Sequence, residues 1–203
     1  MSGGEDLPVG ATPLDPDEAE GLRIKSIETR AELDPYEQAN ITDGIRWLEK
    51  QRAPEVLSEQ FVRQFHGKLF GAVWKWAGTF RVTERNIGVA PHQIAPQLRE
   101  LLDNTRVWFD QGVYPPRELA LRFHHRLVQI HCFPNGNGRH ARLTTDALCR
   151  HVLKVPPIDW SGGLQDLQVE GEHRRQYIAA LQAADGRTFE PLLSLFPESP
   201  KEG

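Results

Sequence analysis

The stretch His131-Cys-Phe-Pro-Asn-Gly-Asn-Gly-Arg-His-Ala-Arg142 constrains this chain more than any other. Before it, Phe123, Leu127, Val128 and Ile130 recur at helical spacing; after it, Ala141, Leu143, Ala147 and Leu148 do the same. The pattern predicts a helix–loop–helix with Gly136-Asn137-Gly138 at the mouth of the second helix. The first N–H groups of a helix lack internal partners, and glycines let the backbone curl closely around an anion. Arg139 and Arg142 are three apart and share a helix face, each offering a planar fork to phosphate oxygens. His131, just before this nest, is placed to take a proton from an attacking hydroxyl. Alone, a Gly-Asn-Gly is an ordinary turn and an arginine pair a solvated face. In this order, within one loop, they point to transfer of a phosphorus-centred group.

Composition bounds the rest. A length of 203 residues suits one domain with a real core. With 26% charged and 39% hydrophobic residues the chain reads as an ordinary globule, and a net charge of −4 argues against a dedicated nucleic-acid binder. No apolar run approaches the roughly 18 residues of a membrane span, and no signal-peptide pattern opens the chain. The two cysteines, Cys132 and Cys149, make no disulfide framework and suit a reducing cytoplasm.

Residues 1 to about 20 are rich in Gly, Pro, Asp and Glu and, like 197–203, read as a flexible end; 21–196 are expected to form a single domain. Asp34-Pro35-Tyr36-Glu37 combines an N-cap, a first-turn proline and a capping-box glutamate, so a first helix is expected from there to about Gln51. A second begins near Ser58 with Phe61, Phe65 and Leu69 inward. From Val73 to Val89 the period shifts towards two, which fits a short hairpin turning at Glu84-Arg85-Asn86 or an irregular loop about equally. Helix returns over 91–111, and Pro116 opens the helix that ends at His131. The helix after the motif is expected to reach about Lys154. Another, from about Glu170, buries Tyr177, Ile178 and Leu181 and closes at Gly186; a last apolar stretch from Phe189 to Phe196 packs back on the bundle. Among the histidines, one of His124 and His125 is expected to pack under the loop and hold it by a hydrogen bond, in preference to a metal site with His131. His140 and His151 are expected at the surface.

The motif resembles the Fic-domain signature, His-x-Phe-x-(Asp/Glu)-Gly-Asn-Gly-Arg-x-x-Arg, through His131, Phe133, Gly136, Asn137, Gly138, Arg139 and Arg142. Position 135 departs from it, carrying Asn for a carboxylate, and Cys132 replaces the usual Pro. The segment from Trp74 to Val89 resembles the family's strand hairpin, particularly in the bacterial branch called mobile mystery protein B, and the likeness covers roughly residues 12 to 195. It implies a mainly α, Fic-type helical bundle with one short β-hairpin flap. It also implies transfer of AMP from ATP to a Ser, Thr or Tyr hydroxyl of a target protein. His131 would be the general base, and Phe133 an anchor of the loop in the core. Gly136, Asn137 and Gly138 would form the anion hole, with Arg139 and Arg142 holding the outer phosphates. Asn135 would stand at the Mg²⁺ position, and Thr83, Glu84, Arg85, Asn86, Ile87 and Gly88 would receive the target segment by strand addition. Two other functions compete: a catalytically weak nucleotide-binding or toxin–antitoxin module, supported by Asn135, and Doc-type γ-phosphate transfer, disfavoured because the glycines at 136 and 138 are kept. Neither Ser194 to Glu198 nor Ser2 to Asp6 completes the family's inhibitory Ser/Thr-x-x-x-Glu/Asp-Gly/Asn pattern, so any regulation is expected from a separate antitoxin-like chain.

Overall fold

Helix α1, Arg30–Glu49, starts one turn earlier than Asp34-Pro35 suggests. Thr29 is the N-cap and shares a reciprocal capping box with Glu32, whose N–H reaches the Thr29 hydroxyl at 3.3 Å. Leu33, in that first turn, is fully buried. The box and this burial together outweigh the backbone hydrogen bond that Pro35 removes inside the helix. The computed structural model describes residues 20–161 and 171–198. The expected N-terminal arm and most of the expected tail therefore lie outside the described residues.

Helix α2, Glu59–Phe70, begins at the expected Ser58 cap and buries Phe61, Phe65 and Leu69. A short 3₁₀ turn, Pro91–Gln93, leads into α3, Ile94–Asp110, which buries Ile94, Leu98, Leu101 and Thr105. Pro116 opens α4, Pro116–Ile130. The motif helix α5, Asn137–Leu148, runs on through a π-helical turn, Cys149–Leu153, to a left-handed Lys154. Helix α6, Glu172–Asp185, and short α7, Glu190–Leu195, complete the described elements. In α6 Tyr177 is buried but Ile178 is exposed, and the left-handed residue after its end is Arg187, not Gly186.

The layers follow from burial. Helix α4 is the centre: Leu119, Leu121, Phe123, Leu127 and Ile130 are buried, and α3, α5 and α7 pack on it. Helix α1 packs on α2, and α2 packs in turn against α5. The result is mainly α, as expected, and no helix among the described residues is long and apolar enough to cross a membrane.

The expected hairpin is absent. Residues 79–90 form no strand, and the β pairing in this region is an isolated bridge between Leu22 and Trp74. The bonds of this strap go to the motif instead. The Arg81 N–H donates to the Cys132 carbonyl at 3.0 Å, and the Val89 N–H to the Ile130 carbonyl at 3.4 Å. The buried Arg81 guanidinium fills the space between, donating to the carbonyls of His131 (2.6 Å), Thr83 (3.0 Å) and Val89. One side chain thus satisfies carbonyls that a ladder would have paired. Thr83, Glu84, Arg85, Asn86, Ile87 and Gly88 are all exposed along the strap.

Candidate active site

The loop between α4 and α5 is held by its own side chains and by α2. His131 closes α4 in a left-handed conformation, φ 55° and ψ 61°. Phe133 is fully buried, as an anchor should be, and stacks on the His66 ring with centroids 3.7 Å apart. Asn137 clamps the turn: its Oδ1 accepts from the Phe133 N–H at 2.9 Å and its Nδ2 donates to the Phe133 carbonyl at 2.7 Å. What Asn137 offers an anion is therefore its main-chain N–H. The first bond of α5 runs from the His140 N–H to the Gly136 carbonyl at 2.9 Å, so the N–H groups of Asn137, Gly138 and Arg139 have no partner within the helix. Gly136 is left-handed at φ 76°, and a Cβ there would meet the Phe70 ring at 2.7 Å. Only glycine fits between this turn and α2.

The histidine beneath the loop is His66, not His124 or His125. Its Nε2–H donates to the Asn135 carbonyl at 3.2 Å, and its Nδ1 accepts from the Gly78 N–H at 3.0 Å. An accepting Nδ1 requires a neutral ring, and burial together with the nearby His140 pushes its pKa well below the usual value. His140 is itself buried, against the expectation of a surface residue, and donates to the Val62 carbonyl at 3.0 Å. It falls on the stripe of Asn137, Ala141, Thr144 and Leu148, the inward face of α5. His124 bonds the Tyr177 hydroxyl at 2.8 Å and His125 the Asp185 carboxylate at 2.8 Å. No group of three or more His, Cys, Asp or Glu among the described residues could hold a metal ion.

Two adjoining cavities meet at the motif. One, of about 510 Å³, is walled by Ile87 of the strap, Val128 of α4 and Tyr177, Ile178 and Leu181 of α6. The other, of about 400 Å³, is polar and bordered by Asp34, Asn135, Gly136 and Arg139. His131, Gly138, Arg142 and Arg174 border both. The His131 Nδ1 is buried and completes no hydrogen bond, although the Val128 carbonyl nearby favours a proton on the ring. Burial, with the charges of Arg81 and Arg85, lowers the His131 pKa to about 4. At neutral pH the ring is an uncharged base. Gly88 lets the strap lie directly over it, since a Cβ there would stand 2.7 Å from the His131 Cβ.

The expected phosphate ligands differ in their freedom. Arg142 borders both cavities. Arg139 is committed elsewhere: it pairs with the Glu37 carboxylate at 2.7 Å and lies over the Phe70 ring at 5.0 Å. The other Glu37 oxygen accepts from the Trp74 indole at 2.7 Å, so both oxygens of this buried carboxylate are used. At position 135 a magnesium ion would meet an uncharged amide oxygen in place of a carboxylate, and that Oδ1 accepts one hydrogen bond from the Gly136 N–H at 2.7 Å. Glu37, His66, Arg81 and Arg174 are the site residues that sequence reasoning missed.

Residues 56–149, the segment from the start of α2 to the end of α5, match the Fic/DOC family. Over that segment the chain is similar to Fic-domain proteins. Among solved structures, the N-terminal Fic domain of Bep8 from Bartonella sp. 1-1C superposes with a TM-score of 0.69 at 16% identity, covering 86% of this chain and 87% of that one. The ADP-bound N-terminal Fic domain of a putative cell filamentation protein from Bartonella quintana gives 0.65 at 18% identity, over 84% and 86% of the two chains. Both likenesses fix the Fic fold. In sequence, protein adenylyltransferase fic-1 of Caenorhabditis briggsae is 30% identical over 116 residues, which are 54% of this chain and 20% of that protein. The chain thus spans about a fifth of the length of that curated relative.

Proposed function

We propose that this chain is a protein adenylyltransferase, moving AMP from ATP to a Ser, Thr or Tyr hydroxyl of another protein. The observation that carries this reading is the neutral His131 at the seam between an apolar cavity and a polar one. The apolar side suits a nucleoside, and the polar side, with its unpaired N–H groups and arginines, suits a polyphosphate. A nucleotide lying across both cavities would have its α-phosphate at the seam. His131 Nε2 takes the proton of the target hydroxyl while its oxygen bonds to the α-phosphorus. The α–β bridging bond breaks, and the pyrophosphate leaves with charge that Arg142 and the N–H groups of α5 offset. Mg²⁺ would arrive with the ATP and supply further phosphate neutralisation; no residue of the loop is assigned to it. The exposed strap from Thr83 to Gly88 is the surface on which a target segment would lie, close to His131. The strap sequence from Trp74 to Val89 supports the mobile mystery protein B branch, and two buried free cysteines suit a reducing cytoplasm. Inhibition by a separate antitoxin-like chain is part of the same reading.

A second reading is favoured by Asn135 and by the Glu37–Arg139 pair: a Fic-fold module that binds nucleotide and turns it over poorly. Incubation with ATP labelled on the α-phosphate or on the γ-phosphate, in a lysate supplying targets, separates the two. Label from α alone, abolished in His131→Ala while ATP affinity changes little, is the expected result. ATP binding without transfer supports the second reading, and γ-label on protein overturns both.

A further inference from the structure

The polar cavity needs more positive charge than the motif leaves free. Arg139 cannot turn to a phosphate without stranding the buried Glu37 carboxylate, whose partners are Arg139 at 2.7 Å and the Trp74 indole at 2.7 Å. With that pair set aside, the charged groups bordering the cavity are Arg142, Arg174 and the exposed Asp34. Among the described residues, Arg174 is the one from outside the loop and α5 that borders both cavities. It sits in the first turn of α6, Glu172–Asp185, and its position is fixed one turn later. There the buried Tyr177 hydroxyl bonds His124 of α4 at 2.8 Å. The Arg142 guanidinium lies against the same phenol oxygen, and the charge of Arg174 acts on it as well. Two arginines from separate helices therefore line the same seam between the cavities.

We infer that Arg174 is a phosphate-binding residue of this site, gripping the outer phosphates of a nucleoside triphosphate together with Arg142 while Arg139 serves to tie α5 to α1. The inference rests on the nucleotide reading given above. A guanidinium fork binds phosphate oxygens through charge-assisted hydrogen bonds, and their loss weakens triphosphate more than monophosphate. The loop supplies the floor of the cradle, and α6 brings a wall that no short motif encodes.

The test is binding of ATP, AMP and inorganic tripolyphosphate to the full chain, by calorimetry, for wild type, Arg174→Ala and Arg174→Lys. Arg174→Ala should weaken ATP and tripolyphosphate tenfold or more and AMP less than twofold, as expected for a lost charged hydrogen bond. Arg174→Lys should recover part of the loss, and thermal melting should be unchanged in both. Wild type that prefers ATP to AMP, with Arg174→Ala behaving identically, overturns the inference and leaves the nucleotide reading standing. Equal losses for ATP and AMP also overturn it. Wild type that binds neither ATP nor tripolyphosphate overturns the nucleotide reading, and the inference with it.

Discussion

The loop of the motif and the strap above it are close neighbours built in opposite ways. The loop closes on itself: Asn137 clamps Phe133 four residues away, and His66 and Phe70 of α2 fill the space beneath. The strap makes no ladder of its own and hangs on Arg81, which reaches His131 fifty positions along the chain. The first region is over-determined by packing, so the N–H groups at the start of α5 are held in fixed positions. The second is held at its ends and exposed between them, which leaves a surface free to meet another chain. The proposed cradle would have to be rigid and the proposed docking edge accessible, and the two hydrogen-bond patterns supply one property each.

The largest effect expected from breaking this contrast is in the loop. Phe133→Ala removes a fully buried ring from beneath the cradle, and a loss of about 3–5 kcal/mol should appear in urea unfolding. A loss below ~1 kcal/mol would mean that the ring is not what holds the loop. Arg81→Ala should cost less, about 1–3 kcal/mol, because the strap carbonyls it releases can turn to water. Its distinguishing signature is local: amide exchange should accelerate over 82–88 while the amides of α4 and α5 stay protected. Uniform acceleration along the chain would show that strap and loop open as one unit.

A pH titration sharpens the same contrast. His124 and His140 titrate at about 3 in the fold, and His66 well below 6.5, because each is buried neutral. Once unfolded they take up protons below about 6.5, so stability is full above that pH and falls as the pH drops. Each adds a slope of about 1.4 kcal/mol per pH unit. Asp146 acts in the opposite sense. Burial raises its pKa to about 6, so between about 6 and its ordinary value the fold holds a proton that the unfolded chain has lost. It should offset one histidine over that range. Urea midpoints that do not fall between pH 6.5 and 4.5 would contradict the buried neutral histidines. The strap contains none of them, and its exchange rates should follow only the ordinary pH dependence of amides.

The smallest effect belongs to the exposed middle of the strap. Val82 is 85% exposed, and Val82→Ser should leave stability within about 0.5 kcal/mol of wild type. If target segments do lie there, the same change should lower transfer without altering ATP affinity. A larger stability loss would reveal packing that the exposure does not suggest.

What was legible in the sequence follows the range of the interactions. The Ser58 cap, the Phe61–Phe65–Leu69 stripe, Pro116 and the motif at the mouth of α5 are local patterns, and each stands where the periodicity put it. The start of α1 was masked by competition between two adjacent capping signals; Thr29 with Glu32 prevailed because Leu33 had a core to enter. His140 could have been found, since it lies on the inward stripe of its own helix. Glu37, His66, Arg81 and Arg174 act on groups far away in the chain, and nothing in their flanking residues announces their partners. The hairpin was misread for the same reason: alternation records which side chains are buried, whereas a ladder needs the backbone groups free of a competing arginine.

The left-handed twist at His131 carries a conformational cost of its own. Glycine occupies that conformation freely, whereas an L-residue with a Cβ carries roughly 1–2 kcal/mol of strain. With His131 as the proposed base, the fold would be holding its backbone uphill at one residue for the sake of a single ring nitrogen.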